Sequence, residues 1–185
     1  SNQKEMRKTP SHSNELLNLL QYRHQILLGS RTSKKPGEFK DKNNRAGETH
    51  FVDHALVRGT LIKGFDYYKA LNDPFAKAAY MMFMISEIHP FLDGNGRIAR
   101  VMMNAELVKA NQTRIIIPTV YRDDYLGALR RLTRNDDPAV YIKMLQRAQK
   151  FSSTLLANDV EALENQLAQS NAFKEHDEAK LNILE

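Results

Sequence analysis

The chemistry-bearing residues of this chain crowd into one stretch, His89-Pro90-Phe91-Leu92-Asp93-Gly94-Asn95-Gly96-Arg97-Ile98-Ala99-Arg100. Two glycines flank Asn95 just ahead of a helix-like segment. Glycine lets a backbone bend and come close to a ligand. The amides of such a loop and of the helix start behind it, together with the helix dipole, form an anion nest. Arg97 and Arg100 lie three apart, so both guanidiniums project from one flank of the first turn. Two such forks beside a nest suit a di- or triphosphate. Asp93 adds a hard oxygen donor, which suits a magnesium ion held mainly by phosphates and water. His89 is an acid–base group with an ordinary pKa of about 6.5. Base, carboxylate, nest and two arginines are together the parts needed for phosphoryl or nucleotidyl transfer.

Each part alone has a plainer reading. A histidine at a helix end is usually a cap or a satisfied core residue, an Asp before Gly is usually a turn residue, and two arginines on a helix are usually a solvated face. Their coincidence within one short loop outweighs those readings. Three rival motifs fail. Gly94-x-Gly96-x-x-Ala99 matches a loose dinucleotide fingerprint, but that fingerprint must follow a strand, and here it follows a buried helix. Asp93-x-Asn95 resembles the start of a calcium loop, but Arg97 and Ile98 stand where an oxygen donor and a glycine are needed. His50 and His54 have helical spacing, but Phe51 replaces the glutamate of a zinc protease.

The elements that must position this loop are helical. Residues 14–28 read as a helix. Residues 29–48 are a Gly, Ser, Lys and Asn stretch with a Pro36-Gly37 turn. Residues 49–53 read as a short extended piece, followed by a helix over about 54–71. Asp73-Pro74 is a strong helix start, and Phe75 to Ile88 is apolar nearly all round, so that helix is expected to be central. It stops at His89, because the residue before a proline avoids the α region. A helix over about 96–110 carries Ile98, Val101, Met102, Ala105 and Val108 on one stripe. Ile115 to Ile117 is a short β-branched run. Helices over about 121–133 and 138–151 follow. Leu156, Val160, Leu163 and Leu167 form a heptad-like seam on a further helix. The fold class is therefore all-α with at most a hairpin.

Composition narrows the function classes. The 185 residues are enough for one real core. There are no cysteines, so a disulfide framework and thiolate metal sites are excluded. No apolar run reaches the length of a membrane span, and no leader is visible. A cytoplasmic location is the expectation. The net charge is +5, with a pI of about 9.4, which favours an anionic partner. The excess is concentrated at Arg31, Lys34, Lys35, Lys40, Lys42 and Arg45, expected to be a solvated loop. Only Phe39 interrupts it, so it offers no stacking platform and nucleic acid is disfavoured as a partner.

Residues 89–100 resemble the signature of the Fic family, His-x-Phe-x-Asp/Glu-Gly-Asn-Gly-Arg-x-x-Arg, with every fixed position met. Pro36 to Lys40, Asn44-Arg45 and Phe51 to Asp53 resemble that family's flap region. The resemblance runs from about Pro36 to Phe151. It implies a helical bundle with a β-hairpin flap over the site. The implied organisation is an N-terminal helical segment over 1–30, a Fic core over 31–151 with its flap at about 37–53, and a helical tail over 152–185. The activity it implies is protein adenylylation, the transfer of AMP from ATP to a Ser, Thr or Tyr hydroxyl of a target protein, releasing pyrophosphate.

Carried over by position, His89 is the general base and Asp93 holds Mg²⁺. Gly94, Asn95 and Gly96 form the nest, and Arg97 and Arg100 pair with phosphates. Thr49, His50, Phe51 and Val52 hold the target by strand-like pairing, and Tyr125 packs near the adenine. Phe91 anchors the loop in the core. Some members transfer other phosphate-containing groups, remove AMP or phosphorylate. The intact Gly94-Asn95-Gly96-Arg97 favours AMP. Many members carry an inhibitory Ser/Thr-x-x-x-Glu-Gly/Asn helix whose glutamate occupies the second arginine. Here Glu5 is followed by Met6 and Glu15 by Leu16, and Lys174 stands four after Ser170. No complete copy exists, so Arg100 is expected to be unblocked and any inhibitor to be outside this chain, as another segment or an antitoxin-like protein. The remaining alternative class is a non-catalytic interaction domain.

Overall fold

Two X-Pro steps, Asp73-Pro74 and His89-Pro90, bracket the most apolar run of the chain, and a computed structural model describing residues 3–184 places a helix boundary at each. The helices are α1 (Gln3–Met6), α2 (Ser13–Leu28), α3 (Val57–Ala70), α4 (Pro74–Ile88), α5 (Asn95–Lys109), α6 (Arg122–Asn135), α7 (Ala139–Ser153) and α8 (Val160–Gln169). A hairpin of β1 (Arg45–Ala46) and β2 (Thr49–His50) is the one sheet among the described residues. Its register pairs Arg45 with His50 and Ala46 with Thr49. The all-α expectation with a short hairpin holds. The chain divides into two compact units, one ending at Gln112 and one beginning at Thr113.

In the first unit α4 is the core helix. Asp73 caps it by accepting from the amide of Ala76 at 2.7 Å, and Pro74 fills the first position, where no amide partner is needed. Met81, Met82 and Ile85 of α4 are fully buried, as are Leu16 and Leu20 of α2, Leu61 of α3 and Met103 and Leu107 of α5. Gly64 lets α3 approach α4 closely, since a Cβ there would stand 2.6 Å from the Met84 sulfur. A buried hydrogen bond from the Tyr68 hydroxyl to Glu106, 2.7 Å, ties α3 to α5.

In the second unit Tyr141, Leu145, Ala148 and Phe151 of α7 are buried, together with Tyr125, Ala128 and Leu129 of α6. Residues 115–117 are not a strand. The Ile116 amide donates to the Ser152 hydroxyl at 2.8 Å, so it has no need of a strand partner. The heptad-like seam is also corrected. Asp159 caps α8 by accepting from the Ala162 amide, so the helix starts at Val160 and Leu156 lies outside it. Leu156 is 80% and Val160 73% exposed. No helix among the described residues is long and apolar enough to cross a membrane.

Removing the cap at the core helix has a measurable cost. Asp73→Ala is expected to lower stability by about 1 kcal/mol. The readout is a lower urea midpoint with an unchanged slope.

Candidate active site

His89 closes α4 in a left-handed conformation, φ 51° and ψ 59°, and its amide donates to the Ile85 carbonyl at 3.0 Å. Its ring nitrogen Nδ1 lies 2.8 Å from the Ser86 carbonyl. A carbonyl can only accept, so Nδ1 carries the proton, and the lone pair of neutral His89 is on Nε2. Phe51, just past β2, stacks on the ring at 3.6 Å and 7°. Burial pushes the His89 pKa below the usual imidazole range. The Ser86 bond opposes that effect, and the nearby Lys40 ammonium adds to it. His89 is therefore a neutral, oriented base at pH 7.

The loop after His89 is held from inside. Phe91 is fully buried. Its amide donates to the Asn95 Oδ1 at 2.9 Å, and its carbonyl accepts from the Asn95 Nδ2 at 2.8 Å. The same carbonyl accepts from Asn44 at 2.9 Å. The Asn95 side chain thus clamps the loop, and what Asn95 can offer an anion is its backbone amide. Gly94 has φ +76°, and a Cβ there would stand 3.0 Å from Leu28 of α2. Glycine is required on both counts.

α5 makes its first helical bond from the Ile98 amide to the Gly94 carbonyl. The amides of Asn95, Gly96 and Arg97 precede that bond and point out of the helix start, as an anion site requires. Asp93 accepts from the Gly94 amide at 2.6 Å through Oδ1. Its Oδ2 lies 3.3 Å from Arg31 and 3.7 Å from Arg97. The amide bond and the two arginines, with Lys34, hold its carboxyl below the ordinary range. Arg100 has no carboxylate partner among the described residues. Glu5 pairs instead with Lys8 and approaches Arg23, and Glu15 accepts from Ser11. Ser1, the start of the other inhibitory-like match, lies outside the described residues.

No group of three or more His, Cys, Asp or Glu residues that could hold a metal occurs among the described residues. His50 and His54 form no such group, and His54 bonds to Asn43. Within the loop 89–100 the carboxylate that could meet a cation is Asp93, whose side chain is partly exposed. That donor set fits Mg²⁺ taking its remaining ligands from phosphate and water.

The hairpin lies within residues 37–53, and its second strand takes up the first two residues of the extended piece read at 49–53. Thr49 and His50 are in β2. Phe51 and Val52 follow it, with the Phe51 amide donating to the Asn44 carbonyl at 3.3 Å. Tyr125 is buried on α6 in the second unit. The basic stretch 31–45 is not a uniform solvated loop. Lys40 is 3% exposed; its ammonium bonds to the Ile88 carbonyl and to Asn44, and burial pushes its pKa down. It serves the unpaired carbonyls at the end of α4. His24 of α2, also fully buried, bonds to the Asp93 carbonyl and to Gly37. Neither residue stands out in the sequence, because the Ile88 and Asp93 carbonyls they hold are backbone groups distant in the chain.

A profile of the Fic/DOC family matches residues 15–107, half of the chain, and takes in the whole loop, all of α4 and α5 as far as Leu107. The chain belongs to the Fic/DOC family. A Fido domain-containing protein of Dictyostelium discoideum is 28% identical over 103 residues, covering 53% of this chain and 72% of that protein. The protein adenylyltransferase Fic of Drosophila persimilis is 40% identical over 63 residues, or 34% of this chain. That of Drosophila mojavensis is 38% identical over 120 residues, or 61% of this chain. The chain spans only 12% and 23% of those two enzymes. Among solved structures, Fic-1 of C. elegans (residues 134–508) overlays with a TM-score of 0.64 at 18% identity, covering 91% of this chain and 46% of that one. A Fic domain-containing signaling protein of Bacteroides thetaiotaomicron gives 0.62 at 21%, covering 93% and 68%. These two likenesses establish the Fic fold.

Two outcomes follow from this Fic site. Asn95→Ala removes both bonds to the buried Phe91 peptide, and a buried unpaired group costs about 1–3 kcal/mol; a urea titration is expected to show a loss of that order. His89 and His24 both have pKa values lowered by burial. Their contribution to stability is full above about pH 6.5, the unfolded value. It is lost as the pH falls from there through the lower folded values, because the unfolded chain then binds more protons. The urea midpoint is expected to fall between pH 7.5 and pH 5.5, and to fall less in His89→Gln.

Proposed function

We propose that this Fic domain is a protein adenylyltransferase that moves AMP from ATP to a Ser, Thr or Tyr hydroxyl of a target protein. The observation that carries the reading is the His89 ring, whose proton on Nδ1 is committed to the Ser86 carbonyl and whose Nε2 is a neutral base. It stands at the entrance of a loop whose amides and arginines suit a phosphate chain. His89 Nε2 takes the proton of the target hydroxyl as its oxygen attacks the α-phosphorus. The bond to the bridging oxygen breaks and pyrophosphate leaves. The amides at the start of α5, with Arg97 and Arg100, act where charge builds on the leaving group.

Asp93 is the residue that would hold Mg²⁺, which supplies charge neutralisation along the phosphates. Its carboxylate now shares Arg31 and Arg97, so both guanidiniums are in reach of the phosphates. Residues 49–52 are the segment expected to hold the target chain. The Drosophila relatives carry the name protein adenylyltransferase, and the intact Gly94-Asn95-Gly96-Arg97 also favours AMP as the group moved.

The test is incubation with Mg²⁺ and ATP labelled at the α- or the γ-phosphate, with a cell lysate as the source of targets. Label from the α-position only is expected. His89→Ala is expected to lose at least about 100-fold in labelling rate, the lower range for a general base, while ATP still binds. Label from the γ-position only would replace AMP transfer by phosphorylation. Undiminished labelling by His89→Ala would remove His89 from its role.

A further inference from the structure

His24 belongs to α2, far from the loop in sequence, yet it lies directly under it. The ring is fully buried and stacks on Phe91 at 3.7 Å and 6°. Nδ1 accepts from the Gly37 amide at 3.0 Å. That amide can only donate, so the ring proton is on Nε2, which donates to the Asp93 carbonyl at 3.0 Å. Buried polar nitrogens need partners, and what is particular to this ring is which partners it has: one backbone group in each of two different loops.

The geometry of the peptide bond turns this into a functional statement. A trans peptide is planar, so the Asp93 carbonyl and the Gly94 amide point in opposite directions. Holding the carbonyl down on α2 therefore turns the Gly94 amide outward, where it meets the Asp93 carboxylate. The amides of Asn95, Gly96 and Arg97 follow in the same turn. Leu28, one helical turn after His24, lies close to Gly94, where a Cβ would stand 3.0 Å from its side chain. On the other side Gly37 is held a second time, its carbonyl accepting from Gln21 at 2.9 Å. Beyond it the Lys40 amide donates to the Pro90 carbonyl at 2.8 Å, and the chain then enters the hairpin.

We infer that His24 is a positioning residue for the anion site: it fixes the 93–94 peptide, and with it the turn from which the amides of Asn95, Gly96 and Arg97 face a bound phosphate, and through Gly37 it joins that peptide to the segment leading into the hairpin. The inference rests on the reading of residues 93–97 as a phosphate site. It assigns a functional reason to a histidine that the motif does not contain.

The experiment uses protein labelled with ¹⁵N-glycine, in which Gly94 reports the peptide and Gly64, packed on Met84 of α4, reports the core. In the unaltered protein MgATP is expected to move the Gly94 amide signal and leave Gly64 in place. His24→Phe keeps the ring stack and loses both bonds. It is expected to weaken MgATP binding at least fivefold by calorimetry and to displace the Gly94 signal before ligand is added, with Gly64 unchanged. His24→Gln, whose amide can donate to Asp93 and accept from Gly37, is expected to recover most of the affinity.

Unchanged affinity in His24→Phe would overturn the inference. So would a loss accompanied by displacement of Gly64, which would mean general loosening. Should His24→Phe not fold, His24→Gln and the ring tautomer of the unaltered protein, read from long-range ¹H–¹⁵N spectra, decide the matter. A proton on Nδ1, or no recovery with Gln, would overturn the inference. If Gly94 in the unaltered protein ignores MgATP while the protein is folded, the phosphate reading itself falls.

Discussion

Between Ile88 and Asn95 the chain leaves one buried helix and starts the next, and the peptide of Phe91 is buried at the turn. Both of its polar groups must be satisfied there without water. The Asn95 side chain does this, giving its oxygen to the Phe91 amide and its nitrogen to the Phe91 carbonyl. A buried amide pairing of this kind leaves the loop one conformation, because any other would strand polar groups in the core. The left-handed turn at His89 leads into this pairing and the start of α5 leads out of it.

Around that loop the electrostatics divide by depth. Below it, His24 and His89 are kept neutral by burial. Lys40 spends its ammonium on a helix-end carbonyl and on Asn44. Above it, Asp93 faces Arg31 and Arg97, and Arg100 stands without a carboxylate partner among the described residues. The cationic excess at the surface is an attractive field for a phosphate chain. The two histidines are bonded to backbone groups, His24 to the Asp93 carbonyl and the Gly37 amide and His89 to the Ser86 carbonyl.

Much of the helical frame was legible from local rules. Asp73-Pro74 and His89-Pro90 marked both ends of α4 because caps and pre-proline sterics act within a few residues. The apolar density of 75–88 marked it as central. Where the reading slipped, a longer-range partner decided. Residues 115–117 have β-branched side chains, yet Ser152 takes the Ile116 amide and no strand forms. The spacing of Leu156 with Val160 looked continuous, but Asp159 starts the helix between them. The extended piece read from Thr49 to Asp53 is paired only at Thr49 and His50, since Gly47 supplies the positive φ of the turn and Phe51 stacks on the ring of His89.

By itself the sequence determined the chemistry available: a histidine, a carboxylate, a glycine-flanked loop and two arginines at helical spacing, all within one short segment. Spacing along a helix start is local, so it survives without knowledge of the fold. Only the tertiary structure decided which nitrogen of His89 carries the lone pair, since that depends on the Ser86 carbonyl one turn back. It also decided that Asn95 faces inward, that Lys40 is buried, and that His24 supports the loop from α2. These are contacts between side chains and backbone groups brought together by packing, and a backbone carbonyl carries no residue type by which a sequence could announce it.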